Sequence, residues 1–100
     1  MTVEELIELF DSYEDTNKTM EFEEMEHPIK KAFRRRDLCA FVKLNQIISG
    51  DTDIISCAEH DQIWLEVELE ELAKKITEED IYFLTACGVF ISEESLSMFV

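Results

Sequence analysis

The stretch that decides the fold is residues 54–67, which read Ile-Ile-Ser-Cys-Ala-Glu-His-Asp-Gln-Ile-Trp-Leu-Glu-Val. In residues 63–67 apolar side chains alternate with Trp and Glu, a period of two that is typical of a strand with one buried face. Residues 54–58 form a second β-prone run, and the polar residues 59–61 separate the two. We therefore predict a hairpin in an antiparallel sheet that is exposed on one side.

The first fifty residues have helical spacing instead. Thr2 with Glu5 three residues later matches a capping box, so a helix is expected to begin there. Its apolar face follows the i, i+3, i+4, i+7 rule and consists of Val3, Leu6, Ile7, Phe10 and Tyr13. The opposite arc of the same helix is acidic and consists of Glu4, Glu5, Glu8, Asp11 and Asp15.

Two further helices are predicted before residue 50. Pro28 suits the first turn of a helix whose buried side would be Ile29, Ala32 and Phe33. Asp37 would interrupt the apolar stripe of a continued helix, so we interpret it as the N-cap of a new one. That helix should run to about Ser49, with Gly50 as its left-handed terminator.

Helical spacing returns after the hairpin. A helix is expected around the apolar residues Leu69, Leu72, Ala73 and Ile76. Thr77, followed by three acids, should cap the next helix, and Gly88 should end it. Residues 89–91 and 96–100, separated by a polar turn, are predicted to form a closing hairpin.

These elements predict an α+β fold, with an antiparallel sheet of about four strands packed against three to five helices. One hundred residues is close to the commonest size of a domain, so we expect a single domain over residues 1–100. Its half 1–50 should be helical, and its half 51–100 should mix strands and helices.

The charge of the chain is strongly negative and unevenly distributed. Twenty-four acids against nine basic residues give a net charge of −15. Residues 27–50 are the exception, because they carry six basic residues and one acid. Such a chain repels nucleic acid and favours a partner with a basic protein surface.

The N-terminal segment, the apolar runs and the cysteines indicate the cellular compartment of the protein. The acidic, amphipathic start does not resemble a signal peptide, and no apolar run is long enough to cross a bilayer. The cysteines Cys39, Cys57 and Cys87 are an odd number without close pairing, which suits a reducing compartment. We therefore expect a cytoplasmic protein without a membrane partner.

A metal or thiol site is the main chemical alternative. Cys57 and His60 have a Cys-x₂-His spacing, and Cys39 and Cys87 could complete a four-ligand set for zinc. Cys57 and His60 could also serve as nucleophile and base, with Asp61 or Glu59 orienting the imidazole. Apolar neighbours around the other two cysteines favour ordinary core thiols, so we expect no cofactor.

The one basic cluster in the sequence is Lys30, Lys31 and Arg34–Arg35–Arg36. It is either a solvated helix end that balances the neighbouring acids Glu23, Glu24 and Glu26, or a contact with an acidic partner.

The acidic helix is the more distinctive candidate for binding. Acids three or four residues apart stand roughly 4–6 Å apart along one face, because a helix rises about 1.5 Å per residue. DNA presents about one phosphate charge per 1.7 Å of axis, so several such rows on a small protein could imitate a duplex. The alternative is an acidic face that only keeps an amphipathic helix in solution.

Trp64 lies on the strand face opposite residues 63, 65 and 67, together with Glu66 and Glu68. If no helix covers that face, Trp64 is an exposed anchor of a kind enriched in interfaces. If both faces are covered, it is ordinary core.

Two segments carry a resemblance. Residues 54–65 and the ending, Cys87-Gly-Val-Phe-Ile through Ser95-Leu-Ser-Met-Phe-Val100, resemble small uncharacterised acidic proteins encoded by phages and prophages. This resemblance implies no catalytic residues. It implies a setting, the host cytoplasm, in which small acidic proteins bind and inhibit host factors.

The sequence therefore predicts a non-enzymatic protein that binds a host protein through an acidic surface. The expected binding site on the host protein is a groove that otherwise binds nucleic acid. The expected contact residues are Glu4, Glu5, Glu8, Asp11, Asp15, Trp64, Glu66, Glu68, Glu70 and Glu71. Two alternatives stay open: an enzyme centred on Cys57, Glu59 and His60, and a homodimer in which residues 96–100 pair edge to edge with their copy.

Overall fold

A four-stranded antiparallel sheet forms one layer of the molecule, and helices form the other. The computed structural model describes residues 1–15 and 22–99, with the backbone alone at residues 14 and 15. The helices are α1 (Val3–Asp15), α2 (Pro28–Phe33), α3 (Arg36–Ile47), α4 (Leu69–Lys75) and α5 (Glu78–Ala86), with a 3-10 turn at Phe22–Glu24. The strands are β1 (Ile55–Glu59), β2 (Gln62–Leu65), β3 (Val89–Ser92) and β4 (Ser95–Phe99). The predicted α+β class is confirmed.

The strand order is β1-β2-β4-β3, so the two predicted hairpins lie side by side and meet at β2 and β4. The register pairs Ile63 with Met98 and Trp64 with Ser97. The C-terminal strand is therefore interior, with β2 on one side and β3 on the other. The predicted edge-to-edge dimer through residues 96–99 is wrong, because β4 has no free edge; Val100 lies outside the described residues.

Residues that face each other across antiparallel strands share one face of the sheet. In one row, Ile63, Met98 and Val89 point to the core, while Ala58, which continues the row on the edge strand β1, is exposed. The adjacent row, Cys57, Trp64, Ser97 and Phe90, points to the opposite side, here called the outer face.

The core lies between the inner face of the sheet and the helices. It joins apolar residues of both layers, including Leu6 and Phe10 of α1, which are fully buried. The predicted apolar face of α1 is confirmed at these two positions. Each such side chain contributes about 1.5–3 kcal/mol to folding when it is removed from water.

The predicted capping box at Thr2 and the predicted cap at Thr77 are both present. Thr2 Oγ1 accepts a hydrogen bond from the backbone N–H of Glu5 at 3.1 Å, and the Glu5 carboxylate accepts one from the N–H of Thr2 at 3.2 Å. Thr77 and Asp80 form the same reciprocal pair at the start of α5. Gly88 ends that helical segment with φ of 95°, as predicted. The left-handed backbone there is a conformation that glycine adopts without a steric penalty.

Around the second and third helices, the structure corrects the predicted boundaries. The break is present, but α3 begins at Arg36 behind the N-cap Arg35, so Asp37 lies in the first turn and is not the cap. The left-handed φ of 66° at Arg34 turns the chain between the two helices. Because α2 is only six residues long, Ile29 alone among its residues reaches the core, while Ala32 and Phe33 are exposed.

The end of α3 also differs from the prediction. The helix stops at Ile47, and Ile48 is extended while its N–H still bonds to the carbonyl of Leu44. The chain therefore leaves the helix two residues before Gly50, whose φ is not in the left-handed region. A glycine terminator is not needed where the C-cap residue takes an extended conformation.

No helix in the described ranges 1–15 and 22–99 is both long and apolar enough to cross a bilayer.

Candidate functional site

Carboxylates dominate the outside of the helical layer. Every described Asp and Glu side chain except Asp80 is exposed. Helix α1 packs against both α4 and α5, so these exposed acids are carried by neighbouring helices. We call this set the acidic helical face; it consists of Glu4, Glu5, Glu8, Asp11, Glu70, Glu71, Glu78 and Glu79. The side chain of Asp15 lies outside the described residues.

Few cations oppose these acids. The only basic residues on the three helices are Lys74 and Lys75, at the end of α4. Lys74 forms an exposed ion pair with Glu71 at 3.3 Å, and exposed pairs of this kind contribute little. Within the described ranges, the carboxylates of α1 form no ion pair. The acidic helical face therefore keeps its negative charge.

The basic residues gather elsewhere, at the junction of α2 and α3. Lys31, Arg34, Arg35 and Arg36 are exposed there. None of them forms an ion pair with Glu23, Glu24 or Glu26 in the part of the chain that the structure describes. Direct pairing is thus not how this cluster balances the neighbouring acids.

Lys30 of the same cluster has a different role. It is half-buried, and its Nζ donates hydrogen bonds to the backbone carbonyls of Phe22, Glu23 and Met25 at 2.6, 2.8 and 2.9 Å. It also lies 5.0 Å from the centre of the Phe22 ring. Lys30 therefore fastens the 3-10 turn onto α2.

The prediction that Glu66 and Glu68 share a strand face with Trp64 is wrong. Strand β2 ends at Leu65, and Glu68 is already the N-cap of α4. The alternation stops because the backbone leaves the sheet there to begin a helix. Both carboxylates are exposed on the link that leads into the acidic helical face.

Trp64 is half-buried on the outer face of the sheet. On neighbouring strands it flanks Ser97 together with Phe90, and Ser97 has no exposed surface. The rings of Phe90 and Phe99 are 4.9 Å apart, and Phe99 is 55% exposed. These aromatics lie outside the hydrophobic core cluster. Trp64 is therefore not a core residue.

The thiols and the imidazole of the chemical alternative do not converge. Cys57, Glu59 and His60 are all exposed on β1 and the turn after it. Cys39 and Cys87 are buried, and burial raises the pKa of both thiols, that of Cys87 to about 12. Among the described residues, no group of three or more His, Cys, Asp or Glu side chains could hold a metal ion.

A groove with a volume of about 1010 Å³ opens where α1 ends and α5 begins. The Tyr13 hydroxyl donates a hydrogen bond to Glu78 Oε1 at 2.9 Å, and the rings of Tyr13 and Tyr82 meet edge to face at 5.4 Å. The lining residues are Tyr13, Glu24, Met25, Glu26, His27, Thr77, Glu78, Glu79, Tyr82 and Phe83. The groove thus continues the acidic helical face at one end.

A packed polar cluster forms the base of this groove. The imidazole of His27 lies 4.2 Å from the Phe83 ring, and its Nδ1 accepts a hydrogen bond from the N–H of Ile29. Burial, with a smaller effect of Lys43, lowers the pKa of His27, so the ring is neutral at pH 7. Lys43 Nζ pairs with Asp80 Oδ1 at 2.7 Å.

Sequence reasoning did not identify this groove. Its residues come from three separate segments, and only tertiary packing brings the segments together. One local signal was available: a histidine directly before Pro28 stands at the N-cap of α2, where its side chain bonds to the backbone.

Comparison with known proteins adds no relative. The chain matches no protein-family model, no curated protein and no solved structure. The arrangement of its own residues is therefore the basis for assigning a function.

Proposed function

We propose that this protein is a non-enzymatic binding protein whose acidic helical face occupies the basic surface of a partner protein. The observation that supports this most is the exposure of eight carboxylates on three neighbouring helices, whose own basic side chains are only Lys74 and Lys75 at the end of α4. A uniform-sign field of this kind steers a basic partner and accelerates association.

The partner surface that we propose is one that otherwise binds nucleic acid. Along α1, Glu4, Glu8 and Asp11 rise roughly 6 and 4.5 Å in turn, on the usual helical pitch. Glu70 and Glu71 of α4 and Glu78 and Glu79 of α5 add four charges to this row, which raises its density towards that of a duplex, about one charge per 1.7 Å of axis. The protein would then compete with nucleic acid for its partner.

The setting that we propose follows from the resemblance to phage and prophage proteins. The protein would act in the cytoplasm of a bacterial host, as an accessory protein that inhibits a host factor. Direct contact with nucleic acid is not part of this function, because a net charge of −15 repels phosphates.

The test is capture from a bacterial host lysate, followed by affinity measurement with the purified partner. Two variants each remove three charges: Glu4→Gln/Glu8→Gln/Asp11→Asn on the acidic helical face, and Glu59→Gln/Glu93→Gln/Glu94→Gln on the two hairpins. We expect the first variant to weaken binding at least tenfold and the second by less than threefold. Added DNA should compete with the wild-type protein.

Salt provides the second readout. Exposed charges are screened within a Debye length of about 8 Å at physiological ionic strength, so the wild-type affinity should fall steeply between 50 and 300 mM salt. Equal losses in the two variants, or an affinity that salt does not change, would contradict the proposal.

A further inference from the structure

The groove beside α5 has the charge of a site for a cation. Four carboxylates line it, those of Glu24, Glu26, Glu78 and Glu79, and all four residues are exposed. Among the described residues that line it, none is a lysine or an arginine. The charged side chains that a cation would meet on this described part of the lining are therefore carboxylates.

The nearby basic groups do not repel a cationic group in the groove. Lys43 is held by Asp80 at 2.7 Å, which neutralises it, and His27 is uncharged at neutral pH. The N-terminus of α5 carries about half a positive charge, but two exposed acids in its first turn, Glu78 and Glu79, outweigh it.

The walls of the groove are aromatic as well as acidic. Tyr13 and Tyr82 stand almost perpendicular to each other, with an interplanar angle of 78°, and Phe83 lies below them, nearly buried. An aromatic ring attracts a cation at its face, and a guanidinium group also stacks on it through its planar, weakly hydrated surface. The hydrogen bond from Tyr13 to Glu78 fixes one ring beside one carboxylate.

We propose that this groove receives an arginine side chain of the partner protein. Arginine fits better than lysine because its planar fork can stack on a tyrosine ring while it donates two parallel hydrogen bonds to a carboxylate. This inference rests on the proposed function, since it names the anchor point of the same acidic surface. Large, well-packed anchors of this type carry most of the energy in many interfaces.

The experiment is a titration of the ¹⁵N-labelled protein, followed by amide chemical shifts. The probes are the capped peptides acetyl-Gly-Arg-Arg-Gly-amide, its Lys-Lys counterpart and its Gln-Gln counterpart. We expect the arginine peptide to shift amides of residues 24–27 and 77–83. We expect it to bind at least threefold more tightly than the lysine peptide, with no binding of the glutamine peptide.

Variants locate the binding. Glu78→Gln/Glu79→Gln should weaken binding of the arginine peptide at least fivefold, whereas the matched pair Glu93→Gln/Glu94→Gln in the β3–β4 turn should change it less than twofold. Tyr13→Leu should weaken binding similarly, and Tyr13→Phe, which keeps the ring, should retain most of it. The dispersion of the amide spectrum shows whether each variant is folded.

Two results would overturn the inference. Shifts spread evenly over α1 would mean diffuse attraction without a specific site. Equal affinity for the lysine peptide would exclude guanidinium recognition. Each of these leaves the acidic helical face testable by its own variants, so the two proposals can fail separately.

Discussion

At the scale of single residues, Asp80 is the only Asp or Glu whose side chain is described and not exposed. It accepts hydrogen bonds from Lys43 Nζ at 2.7 Å and from the N–H of Thr77 at 3.0 Å. Burial alone would raise the pKa of Asp80, but the bonds from Lys43 and Thr77 together outweigh it and hold the pKa below its usual value. The ionised form of Asp80 therefore stabilises the fold.

The lowered pKa of Asp80 predicts how the free energy of unfolding depends on pH. Because the pKa of Asp80 is lower in the folded state, its contribution is complete above the ordinary value of 3.8 and is lost as the pH falls through the folded value. Asp80→Asn should reduce the free energy of unfolding by about 2 kcal/mol at pH 7, from the charge-assisted bond and the cap. Urea unfolding should show this difference shrinking below pH 4.

The control for this prediction is Glu79→Gln, the exposed neighbour in the same helical turn. It removes the same charge but no ion pair, so it should change stability by less than about 0.5 kcal/mol. A difference between wild type and Asp80→Asn that stays constant from pH 7 to pH 3 would show that the charge of Asp80 is not involved.

At the scale of elements, Lys30 connects α2 to the 3-10 turn that borders the groove. One ammonium group satisfies three carbonyl oxygens, those of Phe22, Glu23 and Met25. Without Lys30 these carbonyls would need water as their hydrogen-bond donor. The backbone of Met25, whose side chain is almost fully buried in the core, would lose its bond to Lys30. Lys30 therefore positions one wall of the groove.

Lys30→Met should accordingly lower the free energy of unfolding by about 1.5–3 kcal/mol, the range for hydrogen bonds to charged groups. Lys31→Met, on the exposed side of the same helix, removes the same charge and should change stability by about 0.5 kcal/mol or less. Chemical denaturation of the two variants gives the comparison. Equal losses would mean that net charge, and not the carbonyl contacts, explains the effect.

Local signals predicted most of the elements. The pair Thr2 and Glu5 identified the start of α1, Thr77 identified the start of α5, and alternation in residues 63–67 identified the first hairpin. Each of these signals acts over a few residues, so it can be read without tertiary structure. Errors occurred where a helix end depends on packing, as at Ile48 and Gly50.

The remaining features depend on contacts between distant segments. The strand order β1-β2-β4-β3 brings together hairpins that are separated by two helices, and no short-range pattern encodes it. The same holds for the pair Lys43 and Asp80 and for the groove between α1 and α5. The exposed acids of α1 were predicted, whereas the aromatic residues beside them were recognised only in the structure.

At the scale of the whole molecule, most of the exposed basic side chains are gathered in one region, whereas exposed carboxylates also lie on the hairpins and the connecting segments. The acidic helical face carries carboxylates almost without cations, and the exposed cluster of Lys31, Arg34, Arg35 and Arg36 lies at the junction of α2 and α3. The molecule measures 30 × 27 × 26 Å, several times the Debye length of about 8 Å in physiological salt. Separate regions of its surface can therefore present different potentials to a partner.

The most direct test of this charge segregation is the electrostatic potential near each backbone amide. It is obtained from paramagnetic relaxation by a cationic and an anionic nitroxide of the same size. We expect amide protons of residues 4–11 and 78–80 to be relaxed much more by the cationic probe than by the anionic one. The ratio should be smallest around residues 31–36. A ratio that is the same over the whole surface would contradict the organised acidic face on which the proposed function depends.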